Sequence, residues 1–265
     1  MLTTKSEQAH LHNLARAELV YASARTVLPI VFDLIRPSSV VDVGCSAGFW
    51  LQVCRELGAT TICGIDGSYV DSAALCIPAD CFIAHDLNLP IRLERKFDLA
   101  INLEVAEHLP AASAALLIDS LVRLAPVVLF SAAIPFQGGV GHVNEQWPEY
   151  WAALFNARGF VPVDCIRLRI WDLPGVEEHY AQNALLYVER EHLRRHERLS
   201  RGWEANRDVP LALVHPRHYL DVADPARMDL SDLTSSQVAS AIRIFLKRKS
   251  RAVLHWRLQR LLFGK

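Results

Sequence analysis

The stretch VVDVGCSAGFW, residues 40–50, decides the fold of this chain. Its valines predict a buried strand, a turn with Gly44 and Gly48 follows, and the chain then enters an amphipathic helix. Glycine lets a backbone approach a ligand closely, and a helix start offers free N–H donors. The acidic Asp42, two positions before the first glycine, distinguishes this turn from the phosphate-binding GxGxxG fingerprint. We therefore expect the turn to hold a nucleotide-like cofactor.

The length and composition of the chain limit the possible classes of protein. Its 265 residues suffice for one large α/β domain with an extension, and a hydrophobic fraction of 51% suits a globular core. The first residues contain no apolar segment, so we expect no signal peptide. The apolar run 125–136 is too short to span a bilayer. Six cysteines without a CxxC pair predict reduced thiols in a cytoplasmic protein.

Strand and helix patterns alternate along most of the chain, after a helix predicted over residues 7–36. This alternation predicts an α/β fold, with a Rossmann-like, doubly wound sheet of seven strands, mostly parallel with one antiparallel strand. Ligands of such sheets lie at the carboxyl ends of the strands. The predicted strands are 40–43, 61–65, 81–84, 97–103, 127–131, 161–170 and 184–188.

The sequence changes character after Arg190, which divides it into a first domain over 1–190 and a basic, mostly helical extension over 191–265. A capping-box pattern at 234–237 opens a last helix, and residues 243–265 contain eight basic residues and no acidic one. This basic face predicts either a solvated surface or a peripheral contact with an anionic membrane surface. Nucleic acid is not expected as a partner, because aromatic side chains for base stacking are few here.

Acidic residues stand at the ends of the second and third predicted strands. The segment GIDGS (64–68) places Asp66 there, and HDLNLP (85–90) places Asp86. The segment FDLAINLEVAEHLP (97–110) contains the fourth strand. Together with residues 40–50, these segments resemble the motifs of class I S-adenosylmethionine-dependent methyltransferases over residues 38–190.

This resemblance implies S-adenosylmethionine as the cofactor. Asp66 would accept both ribose hydroxyls, because a carboxylate can take two O–H donors at once, and Asp86 would face the adenine amine. Ser46 stands where many members of the superfamily have a glycine. Asp66 could instead bind a nicotinamide ribose, and Asp42 could be a simple capping acid. The resemblance assigns cofactor contacts to Asp42, Gly44, Cys45, Gly48, Asp66, Gly67, Asp86, Leu87 and Glu104.

The segment Glu104–His108 is similar to the E-x-x-E-H segment of ubiquinone-pathway O-methyltransferases and small-RNA 2′-O-methyltransferases, some of which hold a divalent ion. The resemblance implies a Mg²⁺ site formed by Glu104, Glu107, His108 and His142. Without a metal, His108 or His142 would serve as the general base, since imidazole titrates near neutral pH. The segment can also be a structural link into the next helix.

The loop over residues 132–146 contains three glycines and precedes a helix predicted to start at Pro148. Polar and aromatic side chains in a loop at the carboxyl end of a strand predict contacts with the substrate. We assign these contacts to Asn144, Glu145 and Trp147. Trp147 and Trp151 could instead pack the helix onto the sheet, which is our interpretation of Trp151.

The sequence therefore predicts a cytoplasmic S-adenosylmethionine-dependent methyltransferase, with possible placement at the inner membrane face. We expect methylation of a hydroxyl on a small molecule, sugar or glycan. One alternative is N- or C-methylation of a natural product, although Asn102-Leu-Glu-Val replaces the Asn/Asp-Pro-Pro-Tyr segment that many N-methyltransferases present. The other alternative is a non-catalytic relative that binds an anionic surface through the basic tail.

Overall fold

The computed structural model describes residues 5–223, and it describes the side chains from Ala17 onward. The first element, α1 (Lys5–Ile35), agrees with the helix predicted over 7–36. Val27, Leu28 and Val31 of α1 are buried in the core, whereas Leu19 is half exposed. The predicted capping box at 234–237 and the basic helix lie outside the described residues, so the membrane contact stays a prediction.

Strands and helices then alternate as the sequence predicts. Strand β1 (Ser39–Val43) is followed by helix α2 (Phe49–Glu56), and Gly48 caps the start of this helix in the left-handed conformation. Gly58, with a φ of 103°, follows the helix end. The remaining order is β1 (Ser39–Val43), α2 (Phe49–Glu56), β2 (Thr61–Asp66), β3 (Phe82–Ala84), β4 (Leu99–Leu103), α3 (Ala114–Leu124), β5 (Val127–Ser131), α4 (Pro148–Asn156), β6 (Phe160–Val163), α5 (Arg167–Ile170), α6 (Glu178–Asn183), β7 (Leu185–Glu189), α7 (Arg190–Arg195), α8 (Glu197–Asn206) and α9 (Pro216–Ala223).

The strands form one seven-stranded sheet in the order β3-β2-β1-β4-β5-β7-β6. Strand β7 pairs antiparallel with both β5 and β6, and the other pairs are parallel. The predicted fold class is therefore confirmed. The strand order reverses at β1 and β4, so a crevice opens beyond their carboxyl ends.

Two hydrophobic clusters cover the two faces of the sheet. The first joins α1 and α2 to the sheet and includes Leu193 and Leu199 of α7 and α8. The second packs α3 and α4 against the opposite face, with Trp151 and Phe155 fully buried. Trp151 therefore packs the helix onto the sheet, as interpreted from the sequence.

The chain divides into compact units of Met1–Leu220 and Asp221–Lys265. The first unit thus includes residues 191–220, which the sequence analysis assigned to the C-terminal extension. In the described part of the chain, no helix is long and apolar enough to cross a membrane. The six cysteines are free thiols, and Cys45, Cys54 and Cys63 are buried.

The strand predicted over residues 161–170 is wrong in its second half. Strand β6 ends at Val163, and helix α5 begins at Arg167. The side chain of Arg167 is buried rather than exposed. Its guanidinium lies 2.6 Å from the carboxylate of Asp164 and donates to the carbonyls of Gln182 and Leu211. A buried charge needs such partners, and their position along the chain cannot be read from strand periodicity. Between β2 and β3, Ser72–Ala74 form a single 3₁₀ turn.

Candidate active site

The carboxyl ends of four neighbouring strands meet at one edge of the sheet. Gly44 follows β1, Asp66 ends β2, Asp86 follows β3 and Glu104 follows β4. Gly44, Asp66, Asp86 and Glu104 all line one cavity of about 780 Å³. The sequence analysis therefore found the edge that forms the cavity. Its lining also includes Gly67, Ser68, Tyr69, Ala84, His85, Leu87, Asn88, Val105, His108 and Leu109.

The turn after β1 requires glycine at its first position. Gly44 has a φ of 86°, and a Cβ atom there would lie 2.3 Å from a methyl carbon of Val105. The N–H group of Gly44 donates to the carbonyl of Ile65 at 2.7 Å, which ties the turn to β2. Ser46, which replaces a glycine of the motif, also adopts a positive φ of 48°. The serine therefore keeps the turn conformation that the motif needs.

Asp66 is buried, and its carboxylate organises the two loops around it. One oxygen accepts the N–H of Ser46 at 2.7 Å. The other accepts the N–H of Gly67 at 2.6 Å and the hydroxyl of Tyr69 at 2.5 Å. A carboxylate has about four acceptor positions, so three are already used by this chain. One donor of a ligand can bind Asp66 directly, and a second would displace the Tyr69 hydroxyl.

Asp86 differs from Asp66 because it is exposed. Its Oδ1 accepts the backbone N–H and the side-chain amide of Asn88, at 2.9 and 3.0 Å, and these hydrogen bonds lower the pKa of the carboxyl. The neighbouring Leu87 is buried and lines the cavity. Both predicted residues therefore face the cavity, with Asp86 at its solvent side.

Two predicted cofactor residues, Asp42 and Gly48, do not line this cavity. Asp42 is buried at the end of β1, and burial, followed by the negative charge of Asp66, raises the pKa of its carboxyl well above the usual range. A Cβ atom on Gly48 would lie 3.1 Å from the side chain of Ile77, and Gly48 is the residue that precedes α2. The N–H of Gly48 donates to the carbonyl of Cys45 at 2.8 Å, which closes the glycine turn.

A second cavity, of about 310 Å³, lies on the other side of Gly44 and Glu104, which line both cavities. Cys45 lines it, as predicted for a cofactor contact. Glu177, His179 and Tyr180 line it as well, and the sequence analysis did not assign Glu177 or His179 to the site. Glu177 and His179 come from the segment before β7. In the sequence, their only indication of a role is that they are polar residues close to the aromatic Tyr180. The lining also includes Ala17, Val20, Ser46, Phe49, Trp50 and Leu103.

Glu104 joins the two cavities and is held by two side-chain amides. Its backbone has a positive φ of 53°, which is unusual for a residue with a side chain. Gln137 donates to one carboxylate oxygen at 2.7 Å, and Asn183 donates to the other at 3.1 Å. The Gln137 side chain was not assigned a role from the sequence, since it lies 33 residues from Glu104 along the chain.

His108 and His142 lie together at the mouth of the first cavity. Their rings make an edge-to-face contact with centroids 4.8 Å apart, and His108 itself lines the cavity. The predicted general bases are therefore neighbours. A Cβ atom on Gly139 would lie 2.3 Å from Nε2 of His142, so glycine is required for the ring to lie there.

The residues of the predicted Mg²⁺ site are brought together only in part. Ligating atoms of Glu107, His108 and His142 lie within 4.8 Å of one another. The carboxylate of Glu104 is not part of this group and accepts hydrogen bonds from the side-chain amides of Gln137 and Asn183. The Glu107 carboxyl is fully buried, and burial and the charge of Glu104 raise its pKa, which favours the neutral acid. Two imidazoles and one carboxyl are a poor donor set for Mg²⁺, which prefers carboxylate, carbonyl and water oxygens.

Glu145, for which a substrate contact is predicted, holds the loop. Its two oxygens accept the N–H groups of Phe136 and Gly138, each at 2.8 Å, and Nδ1 of His142 lies 2.9 Å from Oε1. Asn144 is also buried and accepts from Gln146 through Oδ1. Trp147 remains 43% exposed. Among the three predicted substrate residues, Trp147 alone presents a largely accessible side chain.

A model of the methyltransferase domain family matches residues 10–164, which is more than half of the chain. The protein belongs to this family. Together with the sheet order, the match makes the chain a class I S-adenosylmethionine-dependent methyltransferase. It is thus an enzyme, as predicted, and the narrower likeness to ubiquinone-pathway enzymes stays a prediction. No curated protein sequence matches the chain.

Solved structures with the same fold have low sequence identity to this methyltransferase. DesVI from Streptomyces venezuelae is 14% identical, with a TM-score of 0.52 over 71% of this chain and 99% of its own. The sugar N-methyltransferase KedS8 from Streptoalloteichus is 17% identical, with a TM-score of 0.50 over 64% of this chain and 87% of its own. At these identities the likeness establishes the fold.

Proposed function

We propose that this methyltransferase methylates a hydroxyl oxygen of a small molecule, sugar or glycan, with His142 as the general base. The observation that carries the proposal is the hydrogen bond between His142 Nδ1 and Glu145. A carboxylate that accepts from Nδ1 assigns the proton of a neutral imidazole to that nitrogen, which leaves the lone pair on Nε2. This is the arrangement in which a histidine removes a proton from an acceptor.

A hydroxyl acceptor has particular need of such a base. The cofactor, when bound, supplies an activated methyl group. The residues of the chain must orient the acceptor and take its proton as the oxygen becomes methylated. His108 lies between His142 and the first cavity, where it can contact the acceptor or pass the proton.

The two carboxylates at the strand ends fit the adenosine part of the cofactor. Asp66, buried and bordered by N–H groups, suits a ribose hydroxyl, and Asp86 suits the amine of the base. Glu104 and Gly44 border both cavities, which supports transfer of the methyl group near these two residues.

The acceptor atom is tested directly with a cofactor that carries a ¹³C-labelled methyl group. The full chain is incubated with this cofactor and pools of sugars, glycans and phenolic small molecules, and the methyl signals of the products are recorded by NMR. We expect the chemical shift of a methyl group on oxygen. A methyl group on nitrogen or carbon would contradict the proposal and favour the alternative class.

The base is tested with His142→Ala and His108→Ala. We expect His142→Ala to lower the turnover number about 100-fold or more, with little change in cofactor affinity, because His142 is not among the residues that line the cavity next to Asp66 and Asp86. His196→Ala, between α7 and α8 and outside both cavities, is the control. Wild-type turnover of His142→Ala would remove His142 from the mechanism.

A further inference from the structure

A third cavity lies beside the outermost strand β6 of the sheet, and we call it the β6 cavity. Val161 and Pro162 of this strand line it, and its volume is about 400 Å³, within the range of small-molecule sites. Strands β5 and β7 separate β6 from β4. The β6 cavity shares no lining residue with the two cavities at the methyl-transfer site. It is therefore a separate candidate site for a small molecule.

Asp164 lines the β6 cavity with a carboxylate that is paired on one side. Its Oδ2 accepts from the guanidinium of Arg167 at 2.6 Å, and the side chains of Asp164 and Arg167 are only 4% and 0% exposed. Oδ1 of Asp164 is buried and has no hydrogen-bond partner among the described residues. A buried polar atom without a partner costs free energy, which a hydroxyl donor of a ligand would recover.

Two arginines contribute hydrogen-bond donors to the lining of the same cavity. Arg190 contacts Oδ1 of Asn156 at 3.4 Å, and Nε of Arg207 lies 3.5 Å from the carboxylate of Asp208. Strong charge-assisted hydrogen bonds are shorter, about 2.7–2.9 Å, so both guanidiniums retain donors for a ligand. The guanidinium of Arg207 also lies over the ring of Trp203, with Cζ 5.5 Å from the centroid. This cation–π contact holds Arg207 in place before a ligand binds, which lowers the entropic cost of binding.

The balance of charges in the lining favours an anionic ligand. Arg167 already neutralises Asp164, which leaves the positive charges of Arg190 and Arg207 against that of Asp208 alone. A guanidinium binds a carboxylate or a phosphate through two parallel hydrogen bonds. The β6 cavity therefore combines donors for an oxyanion with a buried acceptor that a hydroxyl would satisfy.

We propose that the β6 cavity binds a sugar that carries a carboxylate or a phosphate group. Such a sugar presents its oxyanion to Arg190 and Arg207 and donates a hydroxyl to Asp164. The side-chain amides of Asn156 and Asn206 both donate and accept, as the remaining sugar hydroxyls do. The proposal concerns a second binding site and does not depend on which atom of the acceptor is methylated.

The test is the ¹H–¹⁵N NMR signal of the Trp203 indole, recorded on the full chain. Trp203 lines the β6 cavity, and Trp203→Phe identifies its signal by the loss of one peak. The probes are glucuronic acid, galacturonic acid and glucose 6-phosphate, which differ in the source of the negative charge. Glucose and galactose are the uncharged counterparts, and inorganic phosphate is an anion without a sugar.

The variants are Arg190→Ala and Arg207→Ala. Both arginines are exposed, so their replacement leaves the core intact, and thermal unfolding verifies this for each variant. Arg201→Ala is the matched control, because Arg201 is an exposed arginine of α8 that pairs with Glu197 and lines none of the three cavities.

We expect at least one of the acidic sugars to shift the Trp203 signal in a saturable manner, with no shift from glucose or galactose. Each of the variants Arg190→Ala and Arg207→Ala should weaken this binding about 10- to 100-fold, because charge-assisted hydrogen bonds are lost, and Arg201→Ala should bind as the wild type does. The proposal is overturned if no acidic sugar shifts the signal at millimolar concentration, or if both variants bind with wild-type affinity. Equal shifts from the uncharged sugars, or equally tight binding of inorganic phosphate, would overturn it as well, because the site would then not require a charged sugar.

Discussion

Nδ1 of His142 lies 2.9 Å from Oε1 of Glu145, and the same carboxylate accepts the backbone N–H groups of Phe136 and Gly138. The orientation of the proposed base and the shape of the loop therefore depend on one side chain. Phe136 has a φ of 70°, and a bulky residue adopts this conformation only when its surroundings impose it. Glu145 supplies that constraint and is a positioning residue for His142.

Glu145→Gln should lower the turnover number by about 10- to 100-fold and leave the affinity for S-adenosylhomocysteine unchanged. The amide has one acceptor oxygen instead of two and no charge, so it cannot hold His142 and both N–H groups at once. Steady-state kinetics measures the effect. Because Glu145 acts through His142, the double variant Glu145→Gln/His142→Ala should be no slower than His142→Ala alone.

The control for this variant is Glu149→Gln. Glu149 lies four residues further along the chain, is exposed and contacts the N–H of Ala212 rather than the histidines. It should keep wild-type turnover. A double variant that is clearly slower than His142→Ala would show that Glu145 acts on turnover independently of His142.

Turnover should survive removal of divalent ions. The donor set near the two histidines suits Mg²⁺ poorly, because two of its three members are imidazoles and the carboxylate of Glu104 accepts from Gln137 and Asn183. The measurement is the rate after dialysis against EDTA, with and without added Mg²⁺ or Mn²⁺. Loss of turnover that either ion restores would assign the histidines to a metal instead of a base mechanism.

The residues at the strand ends were predictable because the sequence pattern that indicates them spans only a few neighbouring positions. A valine-rich strand, a glycine turn and an acidic residue lie within a few positions of one another, so Gly44, Asp66 and Asp86 could be placed at one edge from sequence alone. The fold class followed from the alternation of such units. The first and last residues of β1, β2, β3 and β4 in the structure agree with the predicted strands to within about two residues.

The remaining parts of the site depend on contacts between distant residues. The side-chain amide of Gln137 donates to the carboxylate of Glu104, 33 positions earlier in the chain. The buried guanidinium of Arg167 donates to the carbonyls of Gln182 and Leu211. Loops have no periodicity that would reveal such pairs.

Asp66→Ala should weaken binding of S-adenosylhomocysteine by about 10- to 100-fold, because charge-assisted hydrogen bonds to the ribose are lost. The N–H groups of Ser46 and Gly67 would also lose their acceptor, so the melting temperature should fall. Asp86→Ala should have a smaller effect on affinity, since this residue is exposed and water can replace it. Asp208→Ala, at another exposed position, is the control for titration calorimetry, and wild-type affinity of Asp66→Ala would contradict the cofactor assignment.

Asp42 gives a prediction about the pH dependence of stability. Burial, and then the charge of Asp66, raises the pKa of Asp42 in the folded state well above its usual range, so the folded protein binds this proton more tightly than the unfolded chain does. The stability that the bound proton provides is fully present below about pH 4, the usual pKa of an aspartate. It is lost progressively as the pH rises from there through the raised pKa, because ionisation then costs more in the folded state.

Asp42→Asn removes this ionisation and keeps the shape of the side chain. The free energy of unfolding should therefore be higher than that of the wild type at pH 8, where ionisation of the buried carboxyl costs most. The difference should shrink when both proteins are measured at pH 5. Urea unfolding followed by circular dichroism provides the values at each pH. A variant that is equally destabilised at both pH values would show that the Asp42 carboxylate is ionised and satisfied in the folded protein.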